Sequence, residues 1–135
     1  MVRMLILALA VATPAAAQDG GAVRLDLNRL DPVEDACRLT FVADNTLPDL
    51  SALTLEMVLF DQAGRVAALT LFDFGTLPAG ARRVRQFDVA AQDCAGIAQV
   101  LVNGVASCTG DGVETATCAQ ALRVSGSVEN LEVTQ

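Results

Sequence analysis

Short segments in which apolar and polar residues alternate run through most of this chain. Val23, Leu25 and Leu27 are separated by polar residues, and residues 37–43 ("CRLTFVA") alternate in the same way. A period of two places successive side chains on opposite faces, which is typical of a β-strand that buries one face. Outside the N-terminal segment, no apolar stripe has the 3.6-residue period of a long helix. The chain is therefore expected to be all-β.

Turn-forming residues divide these segments into about seven strands. The sequence "DQAGR" predicts a hairpin turn with Gly64 in the left-handed conformation. In "GTLPAG", Pro78 suits the second position of a type I turn and Gly80 the fourth, which would join the flanking strands into a second hairpin. A polar loop or hairpin is expected between residues 108 and 118. The pattern predicts an immunoglobulin-like antiparallel β-sandwich, with an open barrel as the alternative.

The first residues have the pattern of a secretory signal peptide. Arg3 is followed by the apolar run "MLILALAVATP" and by small residues. We expect cleavage after Ala17, so that residues 1–17 are a signal peptide and residues 18–135 form one domain. The apolar run is shorter than the roughly 20 residues of a membrane-spanning helix, and an N-terminal anchor is the alternative. The mature protein is expected to be periplasmic or secreted, without stable membrane insertion.

The four cysteines of the chain are Cys37, Cys94, Cys108 and Cys118. An even number of cysteines in an exported chain indicates disulfides. Among the alternative pairings we favour Cys108–Cys118, which closes a small loop, and Cys37–Cys94, which ties distant strands together. A zinc site is a poor alternative because no ligand pair is spaced as C-x2-C.

Charge and composition narrow the classes of function. Nine basic residues, all arginine, oppose 16 acidic residues, and the net charge is −7. This excess of acid argues against nucleic acid as a partner. Histidine and lysine are absent, so the commonest general base and metal ligand are missing. We predict a non-catalytic protein without cofactor or metal. The alternative is a hydrolase or metal-dependent enzyme that uses carboxylates such as Asp61, Asp73 and Asp88.

Four motifs, "ACRLTFVADN", "LEMVLFDQAGRV", "LPAGARRVRQFDV" and "CAGIAQVLVNGV…C", cover most of residues 23–120. Together they resemble a family of small exported alphaproteobacterial proteins labelled Tat pathway signal sequence domain proteins, which brings no established activity. The lone Arg3 departs from a twin-arginine signal, so the export route stays open. The middle hairpins also look similar to FxLYD-type immunoglobulin-like domains of bacterial envelope proteins. The positions that carry the family resemblance are Cys37, Asn45, Phe60, Asp61, Gly64, Pro78, Gly80, Phe87, Asp88, Cys94, Asn103 and Cys108.

Apolar residues on the second face of one strand pair are candidates for a partner-binding surface. Val58, Phe60, Leu69 and Leu71 occupy the positions between the predicted core residues. If exposed, such a surface favours a protein partner, and the alternative is that both faces are buried internally. We therefore predict a protein–protein binding or structural module of the cell envelope.

Arginines of the following strand form a second candidate. Alternation places Arg83 and Arg85 on one face, where they could bind an acidic partner. The structural interpretation is that these arginines pair across strands with acidic residues such as Asp73 and Asp88, and protect a strand edge. We favour the structural interpretation.

Overall fold

The computed structural model describes residues 20–135, and the predicted signal peptide lies outside these residues. A 3-10 turn (Cys94–Gly96) and one helix, α1 (Thr115–Ala121), accompany eight strands. The strands are β1 (Val23–Val33), β2 (Ala36–Asn45), β3 (Leu50–Asp61), β4 (Val66–Asp73), β5 (Arg82–Ala90), β6 (Ile97–Gly110), β7 (Leu122–Gly126) and β8 (Glu132–Thr134).

Two four-stranded sheets pack face to face around one core. The first sheet has the strand order β5-β2-β1-β7, and the second has the order β4-β3-β6-β8. The apolar positions of the alternating segments point between the sheets. Leu25 and Leu39 of the first sheet and Leu55 and Met57 of the second are at most 1% exposed. Two sheets that bury one face each against the other form a sandwich. The prediction of a disulfide-stabilised all-β sandwich is confirmed.

The number and the direction of the strands differ in part from the prediction. There are eight strands rather than about seven. β7 runs parallel to β1, and β8 runs parallel to β6, so the sheets are mixed instead of purely antiparallel. The first of these pairs forms because α1 carries the chain from the end of β6 in one sheet to the edge of the other. A strand that arrives by such a crossover can pair in the parallel direction.

The segment between the last two cysteines contains a helix, where a polar loop or hairpin was expected. A turn leads into α1, in which Cys118 and Ala121 are buried. The helix has seven residues, or about two turns, which is too short for an apolar stripe to stand out in the sequence. The disulfide between Cys108 and Cys118 holds this helix against β6.

The strands on either side of "GTLPAG" do not form the predicted hairpin. β4 and β5 are edge strands of different sheets, so this segment crosses between the sheets. The Ala81 N–H donates to the Pro78 carbonyl, which makes Pro78 the first residue of the turn, and Gly80 is the third with a φ of +69°. Glycine permits this left-handed conformation. The two sheets meet on this side, where the ring centroids of Phe72 and Phe87 are 4.2 Å apart.

Both predicted disulfides are present. Cys37 on β2 is bonded to Cys94 in the 3-10 turn, and Cys108 on β6 is bonded to Cys118 in α1. Within residues 20–135 no cysteine is free. Because disulfides form and persist in oxidising compartments and are rare elsewhere, the two bonds indicate an oxidising, extracytoplasmic environment.

Candidate functional site

The four apolar candidates lie together on the outer face of the second sheet. Val58 and Phe60 alternate with the inward-facing residues of β3 and therefore point away from the core. Val58 is opposite Leu69 of β4, and Leu71 shares the face of Leu69. On the other side of β3, Val58 is opposite Leu101 of β6. Residues directly opposite each other in a sheet share a face, so these side chains form one surface.

Val66 extends this surface along β4. It is opposite Phe60, beyond a bulge in the β3–β4 pairing, and so it faces outward as well. We call the following residues the outer apolar face: Val58, Phe60, Val66, Leu69, Leu71 and Leu101.

Exposure is concentrated on β4, the edge strand of this sheet. Val66, Leu69 and Leu71 are 59%, 61% and 58% exposed, whereas Val58 on the neighbouring strand is 4% exposed. Among the described residues, the remaining large apolar side chain with comparable exposure is Val84 at 55%, which lies on β5 in the other sheet. The outer apolar face is therefore a covered centre with an exposed margin on the edge strand.

Phe60 is separated from the other aromatic residues of the chain. The rings of Phe41, Phe72, Phe74 and Phe87 contact one another in the core, with centroid distances from 4.2 to 6.0 Å. Phe60 is partly exposed on the outer apolar face instead. A surface aromatic side chain offers a large contact area at low entropic cost, and aromatic residues are enriched in protein interfaces.

Sequence reasoning did not identify Val66 and Leu101 as members of this surface. The β-bulge displaces Val66 from the alternation of β4, and Leu101 lies in a run that is apolar on both faces. The signal that was available is the run 66–72, "VAALTLF", which contains neither a charged residue nor proline. Such a run on an edge strand favours contact with another chain.

The arginines around β5 do not form one cationic cluster. Arg82 makes a bidentate contact with Asp44 of β2, with N–O distances of 2.8 and 2.9 Å. Arg38 of β2 and Asp88 of β5 form a second such pair at 2.7 and 2.9 Å. These two ion pairs form because β2 and β5 are adjacent strands, which places each arginine opposite an aspartate. The expected pairing with Asp73 does not form, since β4 and β5 belong to different sheets.

Arg83 and Arg85 have different surroundings. The Arg85 guanidinium donates to the carbonyl oxygens of Phe74 and Thr76 at 2.7 and 3.1 Å, and so it holds the crossover between the sheets. Arg83 is exposed and donates to the carbonyl of Arg82 at 2.9 Å. The two side chains therefore do not present a pair of equivalent guanidinium groups to an acidic partner.

The two bidentate pairs predict how stability depends on pH. The hydrogen bond from Arg82 lowers the pKa of Asp44, and the hydrogen bond from Arg38 lowers the pKa of Asp88. A carboxyl group with a lowered folded-state pKa stabilises the fold above its unfolded pKa, and this contribution is lost as the pH falls through the folded pKa. We expect an Asp44→Asn/Asp88→Asn variant to be slightly less thermally stable than the wild type at pH 7, and the difference to disappear between about pH 5 and pH 2, because only the wild type has this contribution to lose.

Circular dichroism melting curves across this pH range measure the effect. Asp111→Asn is the matched control, because Asp111 is exposed in a loop and makes no ion pair within the described residues. The control should follow the wild type. Equal acid sensitivity of the wild type and the double variant would contradict the prediction.

The carboxylates considered for catalysis or metal binding lie in separate places. Asp61 accepts hydrogen bonds from backbone N–H groups of the β3–β4 turn. Asp73 accepts from the Gly75 N–H at the opposite end of β4, and Asp88 lies in the other sheet. Within residues 20–135, no group of three or more His, Cys, Asp or Glu side chains is arranged to hold a metal ion.

One depression of about 330 Å³ does bring carboxylates together. It lies beside the Cys37–Cys94 disulfide, and its lining includes Glu34, Asp35 and Asp93. Asp93 accepts a hydrogen bond from the Ala95 N–H and caps the 3-10 turn. The lining contains no hydroxyl or amine side chain that these carboxylates could activate as a nucleophile.

Within residues 20–135, no helix has the length and apolar character needed to cross a membrane. Neither a protein-family model, nor a curated protein, nor a solved structure shows significant similarity to this chain.

Proposed function

We propose that this chain is a periplasmic or secreted protein-binding module of the cell envelope, without catalytic activity, and that it contacts its partner through the outer apolar face. The observation that carries the proposal is the exposure of Val66, Leu69 and Leu71 on one strand beside Phe60. Burial of apolar surface against a partner is favourable, at about 25 cal/mol for each Å² removed from water before the entropic costs of association are subtracted. Contiguous apolar surface on a folded protein therefore favours an interaction site.

We also infer that the sandwich is immunoglobulin-like. β1, β2 and β5 share one sheet, and β3, β4 and β6 share the other. This division matches that of strands A, B and E from strands C, C′ and F in immunoglobulin domains. Cys37 on the second strand is bonded to Cys94 shortly before the sixth, near the place where a disulfide joins strands B and F in antibody domains. Helix α1 and strands β7 and β8 are additions to that plan.

A photo-activated cross-linking amino acid at position 71 tests the proposed function in a bacterium that exports the protein. We expect Leu71 replaced in this way to form a covalent adduct with a different envelope protein, which mass spectrometry identifies. The same amino acid at position 84 is the matched control, since Val84 is similarly exposed but lies in the other sheet. Adducts in equal yield from both positions would argue against a specific surface.

A charged substitution on the same face gives the second arm of this experiment. Leu69→Glu should reduce the adduct from position 71 by about tenfold or more, because binding would bury an unpaired charge. Val84→Glu should leave the yield unchanged, and melting curves of both variants check that the fold persists. An adduct insensitive to Leu69→Glu, or one that contains only further copies of this chain, would contradict the proposed function.

A further inference from the structure

We infer that the outer apolar face binds a basic, extended segment of another protein, which lies along β4 and places a lysine or arginine side chain between Glu56 and Asp73. The inference rests on the proposed function, and it adds the chemical class of the partner. The observations that carry it are the distribution of charge between the two sheets and the free edge of β4.

The two sheets differ in the charged residues that their strands carry. Every strand of the first sheet carries at least one arginine, whereas no strand of the second sheet carries any. The charged residues on the strands of the second sheet are all acidic, and they are Glu56, Asp61, Asp73 and Glu132. The sheet that exposes the outer apolar face is therefore anionic, and a partner that complements it carries positive charge.

Two carboxylates of the second sheet lack the arginine partners that are found in the first sheet. Three aspartates of the first sheet form ion pairs with arginines, at N–O distances of 2.7 to 2.8 Å. Glu56 and Asp73 form no ion pair within residues 20–135. Glu56 accepts a hydrogen bond from the Asn103 side chain, and Asp73 accepts from the Gly75 N–H through one of its two oxygens. Both carboxylates can therefore accept from a cationic group outside the chain.

Glu56 and Asp73 are neighbours on the surface that contains the outer apolar face. Asp73 is opposite Thr54, and Glu56, two residues further along β3, is opposite Leu71. Such diagonal neighbours on one face of a sheet lie about 7–8 Å apart, so one guanidinium or ammonium group can contact both carboxylates. We call Glu56 and Asp73 the acidic pair. The acidic pair adjoins Leu71, at the exposed margin of the outer apolar face.

The arginines at the two ends of β4 do not neutralise the acidic pair. Arg65 precedes β4, and the eight residues of that strand, at about 3.3 Å each, place it about 25 Å from Asp73. This distance is about three times the screening length of physiological salt. Arg85 approaches the other end of β4 from the first sheet, but its guanidinium donates to the carbonyls of Phe74 and Thr76 and forms no ion pair with Asp73.

The free edge of β4 determines how an extended segment can lie beside the acidic pair. β4 pairs on one side only, with β3, and the Phe74 N–H donates to the Leu53 carbonyl at 2.8 Å. In an antiparallel ladder, alternate residues bond the same neighbour, so Leu69, Leu71 and Asp73 direct their N–H and C=O groups to the free edge. A strand added there places alternate side chains beside these three residues. Two apolar side chains and one basic side chain, at every second position of the segment, complement them.

The same charges disfavour two other occupants of an apolar surface. A second copy that presented the same sheet would bring carboxylates and no strand arginine to the contact. A bilayer that contains anionic lipids would be repelled by the acidic pair. A basic segment of another protein satisfies both the apolar side chains and the carboxylates.

Fluorescence anisotropy of two labelled synthetic peptides with the purified mature protein tests the charge preference. In both peptides threonine alternates with two valines and one charged residue, which is lysine in the first peptide and glutamate in the second. We expect the lysine peptide to bind at least about tenfold more tightly, and sodium chloride to weaken its binding. Equal binding of the two peptides, or no binding of the lysine peptide up to millimolar concentration, would overturn the inference.

Neutralisation of the acidic pair tests where the charge is recognised. Glu56→Gln/Asp73→Asn should weaken binding of the lysine peptide by about fivefold, because two exposed ion pairs are lost, and melting curves check that the variant is folded. Glu34→Gln/Asp35→Asn is the matched control, since it removes the same charge from an exposed turn of the first sheet. The control should bind as the wild type does. An equal loss in both variants would overturn the assignment to the acidic pair, because net charge would then explain the preference.

Vesicles that contain phosphatidylglycerol test the membrane alternative. The wild-type protein should not cosediment with them at physiological salt. Cosedimentation that Glu56→Gln/Asp73→Asn strengthens would show that the face binds lipid, and it would overturn the inference.

The two proposals fail separately in these experiments. An adduct from position 71 with another envelope protein, together with equal binding of the two peptides, overturns the basic segment alone. Peptide binding that depends on charge as expected, without any such adduct in the bacterium, overturns the proposed function alone.

Discussion

Replacing Cys37 and Cys94 together by alanine is expected to lower the free energy of unfolding by about 4 kcal/mol. The two cysteines are 57 residues apart, so the bond removes much conformational freedom from the unfolded chain. A domain of this kind has about 5–15 kcal/mol of stability in total. The variant should therefore lie close to the limit of stable folding.

Guanidinium unfolding followed by circular dichroism measures this loss. The Cys108→Ala/Cys118→Ala variant is the matched comparison, because its cysteines are only 10 residues apart and the same entropy argument gives about 3 kcal/mol. We expect the midpoint of the Cys37/Cys94 variant to be the lower of the two. Equal midpoints, or the reverse order, would show that loop entropy does not decide the contribution of these bonds.

The place of the Cys37–Cys94 bond explains why it matters for the fold as well as for the unfolded chain. Cys37 is opposite Val89 near the end of β5, and Cys94 follows in the 3-10 turn that leads into β6. The bond therefore fixes the point at which the chain leaves one sheet and enters the other.

Local pattern predicted most of the strands and the core, although not helix α1 or the eighth strand. Strand side chains alternate strictly, so Leu39 and Phe41 could be assigned to the inner face before their surroundings were known, and both are buried. The disulfide pairing was one of three that the sequence allows, and the favoured combination of one short loop with one long-range tie is the one observed.

The assignment of strands to sheets could not be predicted in this way. A Pro-Gly turn signal is the same whether the next strand pairs with the previous one or crosses to the other sheet. Here contacts between β5 and the preceding segment stabilise the crossover. The Arg85 guanidinium donates hydrogen bonds to the carbonyls of Phe74 and Thr76, and Phe72 stacks on Phe87. Similarly, the sequence assigned Val58 and Leu69 to one face, but only the neighbouring strands determine that the first is covered and the second exposed.

The structural role of Asn45 could not be predicted from its place in a sequence motif. It carries part of the family resemblance, and it is the one buried polar side chain among the described residues, at 1% exposure. Its amide nitrogen donates to the carbonyls of Leu77 and Pro48 at 2.7 and 3.2 Å. Its side-chain oxygen accepts from the Leu47 N–H at 2.9 Å. One side chain thus joins the end of β2 to both the β2–β3 turn and the crossover.

Substitution of Asn45 by aspartate is expected to lower the free energy of unfolding by about 3 kcal/mol or more at neutral pH. Aspartate has the same shape, but its ionised carboxylate has no donor and would face two carbonyl oxygens in a buried site. Asn45→Ala removes the same hydrogen bonds without adding a charge, and it should cost about 2 kcal/mol. Chemical unfolding at pH 7 gives both values.

The pH dependence separates a lost hydrogen bond from a buried charge. Burial beside carbonyl oxygens would raise the pKa of the introduced carboxyl above its unfolded value of about 4. Above the folded-state pKa, the free energy of unfolding of Asn45→Asp is then lower than that of the wild type by the full amount. This difference shrinks as the pH falls towards the unfolded pKa, because the protonated carboxyl can donate a hydrogen bond. The deficit of Asn45→Ala should not change over this range. Asn130→Asp, at an exposed position, should match the wild type. A pH-independent deficit for Asn45→Asp would mean that the crossover opens to water and that Asn45 does not hold it closed.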